Sequence, residues 1–292
     1  MYKQMQKLAS FQGVSASGIA TAKINPVGTI YGAFIRCSTS GTLATVAQIK
    51  AQIADVVLRI NSEEIIHATP TFLYDLLKYK GYYAGEDAPV GILPLYFAQR
   101  NMASDQERSL YALGMADVQT AQIECRMAAT ITNVANLDLY VLQTAEPRIM
   151  GQHIRIIKYP FNFATTGLQE ISTLPLSPQT MAYLGLHIEN GSGFGAFDYV
   201  TCRVGNYAIH DQIPHDLCNM ELYHNDRTPE AASTAAASYY HLDFARSRDM
   251  SSMLPVAGVT DLRLQINWAT NAPVAFNIYA EHLWNLGVQS SK

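Results

Sequence analysis

Residues 56–79, VVLRINSEEIIHATPTFLYDLLKY, have a counterpart 144 positions further on in residues 200–223, VTCRVGNYAIHDQIPHDLCNMELY. Without a gap, Val56 falls on Val200, Arg59 on Arg203, Ile60 on Val204, Ile65 on Ile209, Pro70 on Pro214, Leu73 on Leu217 and Tyr79 on Tyr223. Each copy reads as a strand, a second strand and a proline-started helix. The same offset lays Gly114-Met115-Ala116-Asp117-Val118 on Gly258-Val259-Thr260-Asp261-Leu262. A shared register over elements this different in kind predicts a tandem duplication.

Outward from that match, the chain is a succession of short alternating segments rich in Val, Ile, Tyr and Thr, separated by Gly, Pro, Asn and Ser. Thr29–Arg36, Val118–Met127, Leu137–Leu142, Ile154–Tyr159, Tyr183–Ile188 and Asp261–Trp268 are examples. Period-two alternation with frequent turns points to a sandwich or barrel rather than βαβ units. Only two places read as helices. Thr69-Pro70 supplies an N-cap and a proline at the first helical position, with Phe72, Leu73, Leu76 and Leu77 on one face. The second starts at Pro214 and carries Leu217, Cys218 and Met220, with a poorer cap because Ile213 cannot accept a backbone hydrogen bond. The predicted fold class is therefore all-β, in two tandem copies of one sandwich or barrel, each with a short helix. The predicted organisation is an N-terminal arm over 1–16, a first domain over 17–148 and a second over 149–292. The length of 292 residues suits two domains with a core each.

Composition narrows the function. Charged residues make up 15% of the chain against about a quarter in an average soluble domain, so much of the surface is neutral polar or covered by partners. The net charge of −4 and the absence of any basic run argue against direct nucleic-acid binding. No apolar run reaches the roughly 18 residues of a membrane-spanning helix, and the start MYKQMQKLAS lacks a signal-peptide core. Cys37, Cys125, Cys202 and Cys218 are widely spaced and read as free, buried thiols.

A search for chemistry returns little. The eight histidines contain no HxH pair and no HExxH, so they read as structural. No GxSxG elbow is present, and Gly191-Ser192-Gly193-Phe194-Gly195 lacks the order of a phosphate-binding loop. No catalytic residue and no cofactor site is predicted. Glu86-Asp87, between Gly85 and Pro89, offers hard oxygen ligands in a loop and is the candidate calcium site. Tyr82-Tyr83 and Tyr239-Tyr240 could stack on sugars, although tyrosines of an all-β chain more often serve strands and interfaces.

Several segments in the same order resemble the major capsid proteins of corticoviruses, tailless marine phages whose icosahedral shell encloses a membrane. They are Ala22–Gly28 with the Ile30–Arg36 strand, Gln48–Lys50, Val56–Ile60 leading to Leu73–Leu77, and Ala112–Gly114 leading to Gln122–Cys125. The second half adds Glu170–Pro175, Leu186–Ile188, Asp261–Ile266 and Ile278–Trp284. The resemblance implies that the two copies are tandem jelly-roll β-sandwiches, a double jelly roll over 17–148 and 149–292, in a structural, non-enzymatic bacteriophage capsid protein located in the virion and made in the host bacterial cytoplasm. Its homotrimers, pseudo-hexagonal in outline, would tile an icosahedral shell around the membrane. Implied partners are neighbouring capsomers, penton and minor membrane-associated capsid proteins, and the internal lipid, which the arm with Lys3 and Lys7 could touch. Calcium stabilisation is a further implied trait. Two other readings compete: a secreted-type glycan-acting double jelly-roll enzyme, and a carbohydrate- or receptor-binding spike protein.

Overall fold

In the computed structural model, the residues described are 3–82, 90–98, 109–163, 165–177, 179–190, 197–230, 239–245, 252–268 and 275–285. Two units partition the chain, Met1–Ile157 and Lys158–Lys292.

In the first unit one sheet runs β1 (Gln4–Lys7), β10 (Asn136–Thr144), β3 (Thr29–Thr39). Strands β7 (Ile92–Tyr96), β8 (Leu113–Gly114) and the short β4 (Thr42–Leu43) also pair with β3. The other sheet runs β6 (Glu63–Ala68), β5 (Ile53–Ile60), β9 (Ala121–Met127), β2 (Ile19–Lys23). Every second residue of β9 is buried, as are Leu137, Leu139 and Val141 of β10, so each sheet turns one apolar face inward. Cys37 on β3 and Cys125 on β9 meet in that core: burial, and then the neighbouring Cys37, push the Cys125 thiol well above its ordinary value. The first sixteen residues, expected as an arm, supply β1. Leu8 and Phe11 then donate to Leu139 and Leu137, and Gln12 bridges to Thr21 of β2.

The second unit repeats this plan. One sheet places β13 (Thr180–Glu189) between β19 (Phe276–Asn285) and β16 (Tyr239–Asp243), with β17 (Leu254–Pro255) also on β13. Strand β11 (Gln152–Phe161), within which the unit boundary falls, lies beside β19 as β1 lies beside β10. The other sheet runs β12 (Gly167–Ile171), β18 (Leu262–Trp268), β14 (Phe197–Val204), β15 (Tyr207–Ile213). Two sandwiches with one strand order make the double jelly roll read from the sequence.

The duplication is real, but its register is not constant. β5 and β14 stand 144 residues apart at both ends. In the first unit Leu58 faces Ile66 and Val56 faces Ala68. In the second, Cys202 faces His210, in step with Leu58 and Ile66, but Val200 faces Ile213, one residue further along. The extra residue sits at Gln212, whose φ of 50° is left-handed and whose N–H donates to Thr201 Oγ1 at 2.9 Å. This bulge delays the second helix by one residue. The first, α2 (Pro70–Tyr79), is capped as expected, Thr69 Oγ1 accepting from Phe72 N at 3.2 Å. The second, α3 (His215–His224), begins after Pro214 with no side-chain cap. One residue turns a helix by about 100°. Leu217 and Met220 therefore point outward, and His215 and Asn219 join Cys218 inside.

A second correction concerns the distant Gly-x-x-Asp match. β17 and β18 lie 141 residues after β8 and β9, so Gly114 corresponds to Pro255 and Asp117 to Gly258. A third concerns helix content. The first unit also contains α1 (Val46–Gln52), closed by a reciprocal Thr45–Gln48 capping box and tied to α2 by Lys50–Asp75 at 2.8 Å.

Candidate functional site

The candidate chemical residues disperse on folding. Glu86 and Asp87, with Tyr83 and the 191–195 glycine run, lie outside the described residues. Among the described residues no three His, Cys, Asp or Glu side chains are disposed to hold a metal, and no helix is long and apolar enough to cross a membrane. Glu63 and Glu64 begin β6, where Glu64 pairs with Arg59 at 2.8 Å and His67 at 3.0 Å. Tyr82 packs edge-on against Tyr96 at 5.4 Å. Tyr239 and Tyr240 are buried, and the Tyr240 hydroxyl is shared between His210 Nε2 at 2.7 Å and the Ile213 carbonyl at 2.9 Å.

Six of the eight histidines are buried: 153, 187, 210, 215, 241 and 282. Five of these six belong to the second unit. Three strands bring His187, His241 and Glu281 together, which no sequence motif announces, because cross-strand neighbours leave no local pattern. His187 on β13 faces His241 on β16, their Nδ1 atoms 2.8 Å apart, and Glu281 Oε2 of β19 lies 3.4 Å from His187 Nε2. One proton fits between the two Nδ1 atoms. Burial first, then His187, His215 and Arg227, drive the His241 pKa well below its ordinary value. Beside them Arg227 Nε donates to Asp243 at 2.6 Å and its Nη2 to the Ala245 carbonyl at 2.9 Å, both side chains buried. This is a closed polar network, with Glu281 on the far side of the His187 ring from His241. It has the character of a structural brace.

The same sheet face in the first unit is built differently. The registers equate His187 with Phe34, His241 with Pro94, Asp243 with Tyr96 and Tyr279 with Tyr140. In place of a closed network, Met5, Phe34, Arg36, Tyr96 and Tyr140 line an open, apolar groove of about 320 Å³. Phe34 meets Tyr96 edge-on at 5.5 Å. Both units keep a glycine two residues before the ring: a Cβ on Gly32 would meet the Leu95 carbonyl oxygen at 3.1 Å, and one on Gly185 the His187 ring at 3.2 Å. Arg36 is one of the lining residues, and Lys7 stands 5.9 Å over the ring of another, Tyr140. Lys7 lies 3.1 Å and Arg36 3.7 Å from Asp138, and Lys3 sits 4.2 Å above the Tyr31 ring.

Two family profiles match in tandem: the viral coat protein P2 N-terminal domain over residues 5–142 and the viral coat protein P2 C-terminal domain over residues 154–285. No curated protein sequence matches. Among solved structures, the major capsid protein P2 of bacteriophage PM2 superposes with a TM-score of 0.79 at 15% identity, over 97% of this chain and 98% of that one. The STIV MCP follows at 0.68 and 12%, over 98% and 97%, and the PBCV-1 virus capsid at 0.60 and 12%, over 97% and 93%. At these identities the likeness speaks to the fold, while the two profiles bear out the coat-protein resemblance read from the sequence. The chain belongs to the viral coat protein P2 family and carries both of its domains.

Proposed function

We propose that this coat protein is the shell-forming subunit of a tailless phage with an internal membrane, working as a homotrimer. The observation that carries this reading is the duplication itself. Two sandwiches of one strand order in each chain give six in a trimer, so a threefold object presents a nearly sixfold outline to its neighbours. Sandwich sheets with covered faces also suit a protein made in many copies, because they leave few edges for stray pairing. In this reading the chain's role is structural rather than catalytic. Adjacent capsomers, penton proteins and membrane-associated minor proteins are the partners this role calls for, with synthesis in the host bacterial cytoplasm.

The test is the mass of the purified chain in solution, with negative-stain images. A stable particle of three chain masses and hexagonal outline is expected. A chain that stays monomeric at every concentration reached would overturn the reading.

A further inference from the structure

We infer that the outward face of α3 in one copy docks into the groove of the first unit in a second copy. The inference rests on the trimer reading and names the surfaces that join its members.

The bulge at Gln212 creates the first surface. Leu217, Met220 and Tyr223 recur at helical spacing on one face and are 44%, 53% and 51% exposed. The corresponding helix of the first unit wastes no apolar residue in this way: Leu73, Leu76 and Tyr79 are 4%, 3% and 2% exposed. An apolar stripe held outward by a left-handed, non-glycine residue costs stability in an isolated chain and is compensated when a partner covers it.

The second surface is the groove lined by Met5, Phe34, Tyr96 and Tyr140. It crosses four neighbouring strands, β1, β10, β3 and β7, a span of about 14 Å. The stripe from Leu217 to Tyr223 is about 9 Å long between Cα positions, so three side chains fit across it. Charge selects this pairing over others. Arg36 lines the groove and Lys7 stands over its Tyr140 ring, both beside Asp138, whereas α3 carries Asp216 and Glu221 beside its stripe. Opposite rims steer the approach and fix its direction. Because stripe and groove are different surfaces, the contact is head-to-tail, the kind that closes a ring of three.

Two variants test it: Leu217→Glu with Met220→Glu on the exposed stripe, and exposed Met5→Glu with half-buried Phe34→Glu in the groove. Each should keep the wild-type circular dichroism spectrum and lose trimer, with dissociation moved to at least about tenfold higher concentration. Mixed one to one, the two variants retain one sound stripe facing one sound groove and should form a heterodimer that cannot grow to a trimer. Native mass spectrometry reads all of these states. If the wild type is trimeric and both variants remain so, the interface lies elsewhere and only the docking inference fails. If the stripe variant stays trimeric but no longer assembles into shells, the stripe meets another capsomer and the inference is likewise overturned. A monomeric wild type overturns the trimer reading itself.

Discussion

The outer faces of the two equivalent sheets show how far duplicated halves can part while keeping one backbone. In the first unit the face is aromatic and open, with Phe34, Tyr96 and Tyr140 around a groove. In the second, the same positions hold His187, Asp243 and Tyr279, all buried. The segments that follow the helices make the contrast sharper. Three residues beyond α2, Tyr82 leans on the Tyr96 ring; three residues beyond α3, Arg227 pairs with Asp243. One strap and one sheet position have been solved once with aromatic rings and once with an ion pair. A backbone plan therefore constrains where contacts form much more tightly than what they are made of.

This contrast can be broken by mutation. Arg227→Ala leaves the buried Asp243 carboxylate without its guanidinium and should cost roughly 3–5 kcal/mol. Tyr82→Ala, at the equivalent place, removes one edge-to-face contact and should cost only about 1 kcal/mol beyond lost area. Chemical denaturation of the two variants side by side measures the difference, and equal losses would show that the straps are not counterparts.

Acid should separate the units next. Burial pulls His215 down to about 4 from an ordinary 6.5, with partial opposition from Tyr239 and Asp216, and His241 is also pulled down. A histidine with a depressed folded value binds its proton more readily when unfolded, so stability is full above about pH 6.5 and falls as pH drops towards 4. For His215 alone the loss reaches roughly 3 kcal/mol. The first unit has one such group, His153, also near 4 through burial. Hydrogen exchange at pH 7 and pH 5 should show β13 and β16 losing protection before β3 and β7. Simultaneous loss in both sheets would remove the histidine network as the cause.

The smallest effect sharpens the comparison at the bulge. Gln212→Gly relieves a left-handed backbone and should raise stability by about 0.5–1 kcal/mol, without altering the association state. A loss of stability there would mean that the glutamine side chain holds the bulge in place.

Much of this architecture was legible in the sequence, and the failures share a cause. Val56–Ile60 and Val200–Val204 align because a strand buried in a core keeps its apolar residues at fixed spacing. The alignment fails at Gln212 because one inserted residue in a bulge leaves no mark in composition, although it turns every later side chain of α3. Gly114 and Gly258 matched by coincidence, since loops change length freely between conserved strands. Helix α1 escaped notice although Thr45-x-x-Gln48 is a readable cap, because seven residues give too little periodicity to declare a helix. The His187–His241–Glu281 network was invisible for a different reason: its members are neighbours only through strand pairing, which a one-dimensional pattern does not record.

The four cysteines have a practical consequence. All are free and buried, and burial holds the Cys37 and Cys202 thiols up at about 12, so thiolate, the reactive form, is scarce at neutral pH. Neither dissolved oxidants nor maleimide reagents should find them while the fold is intact. A single cysteine placed on an exposed turn, such as the Asn206 position, would then be the one addressable thiol on each chain. Decorated at that point, a shell of this protein would carry dyes or catalysts at spacings set by the lattice.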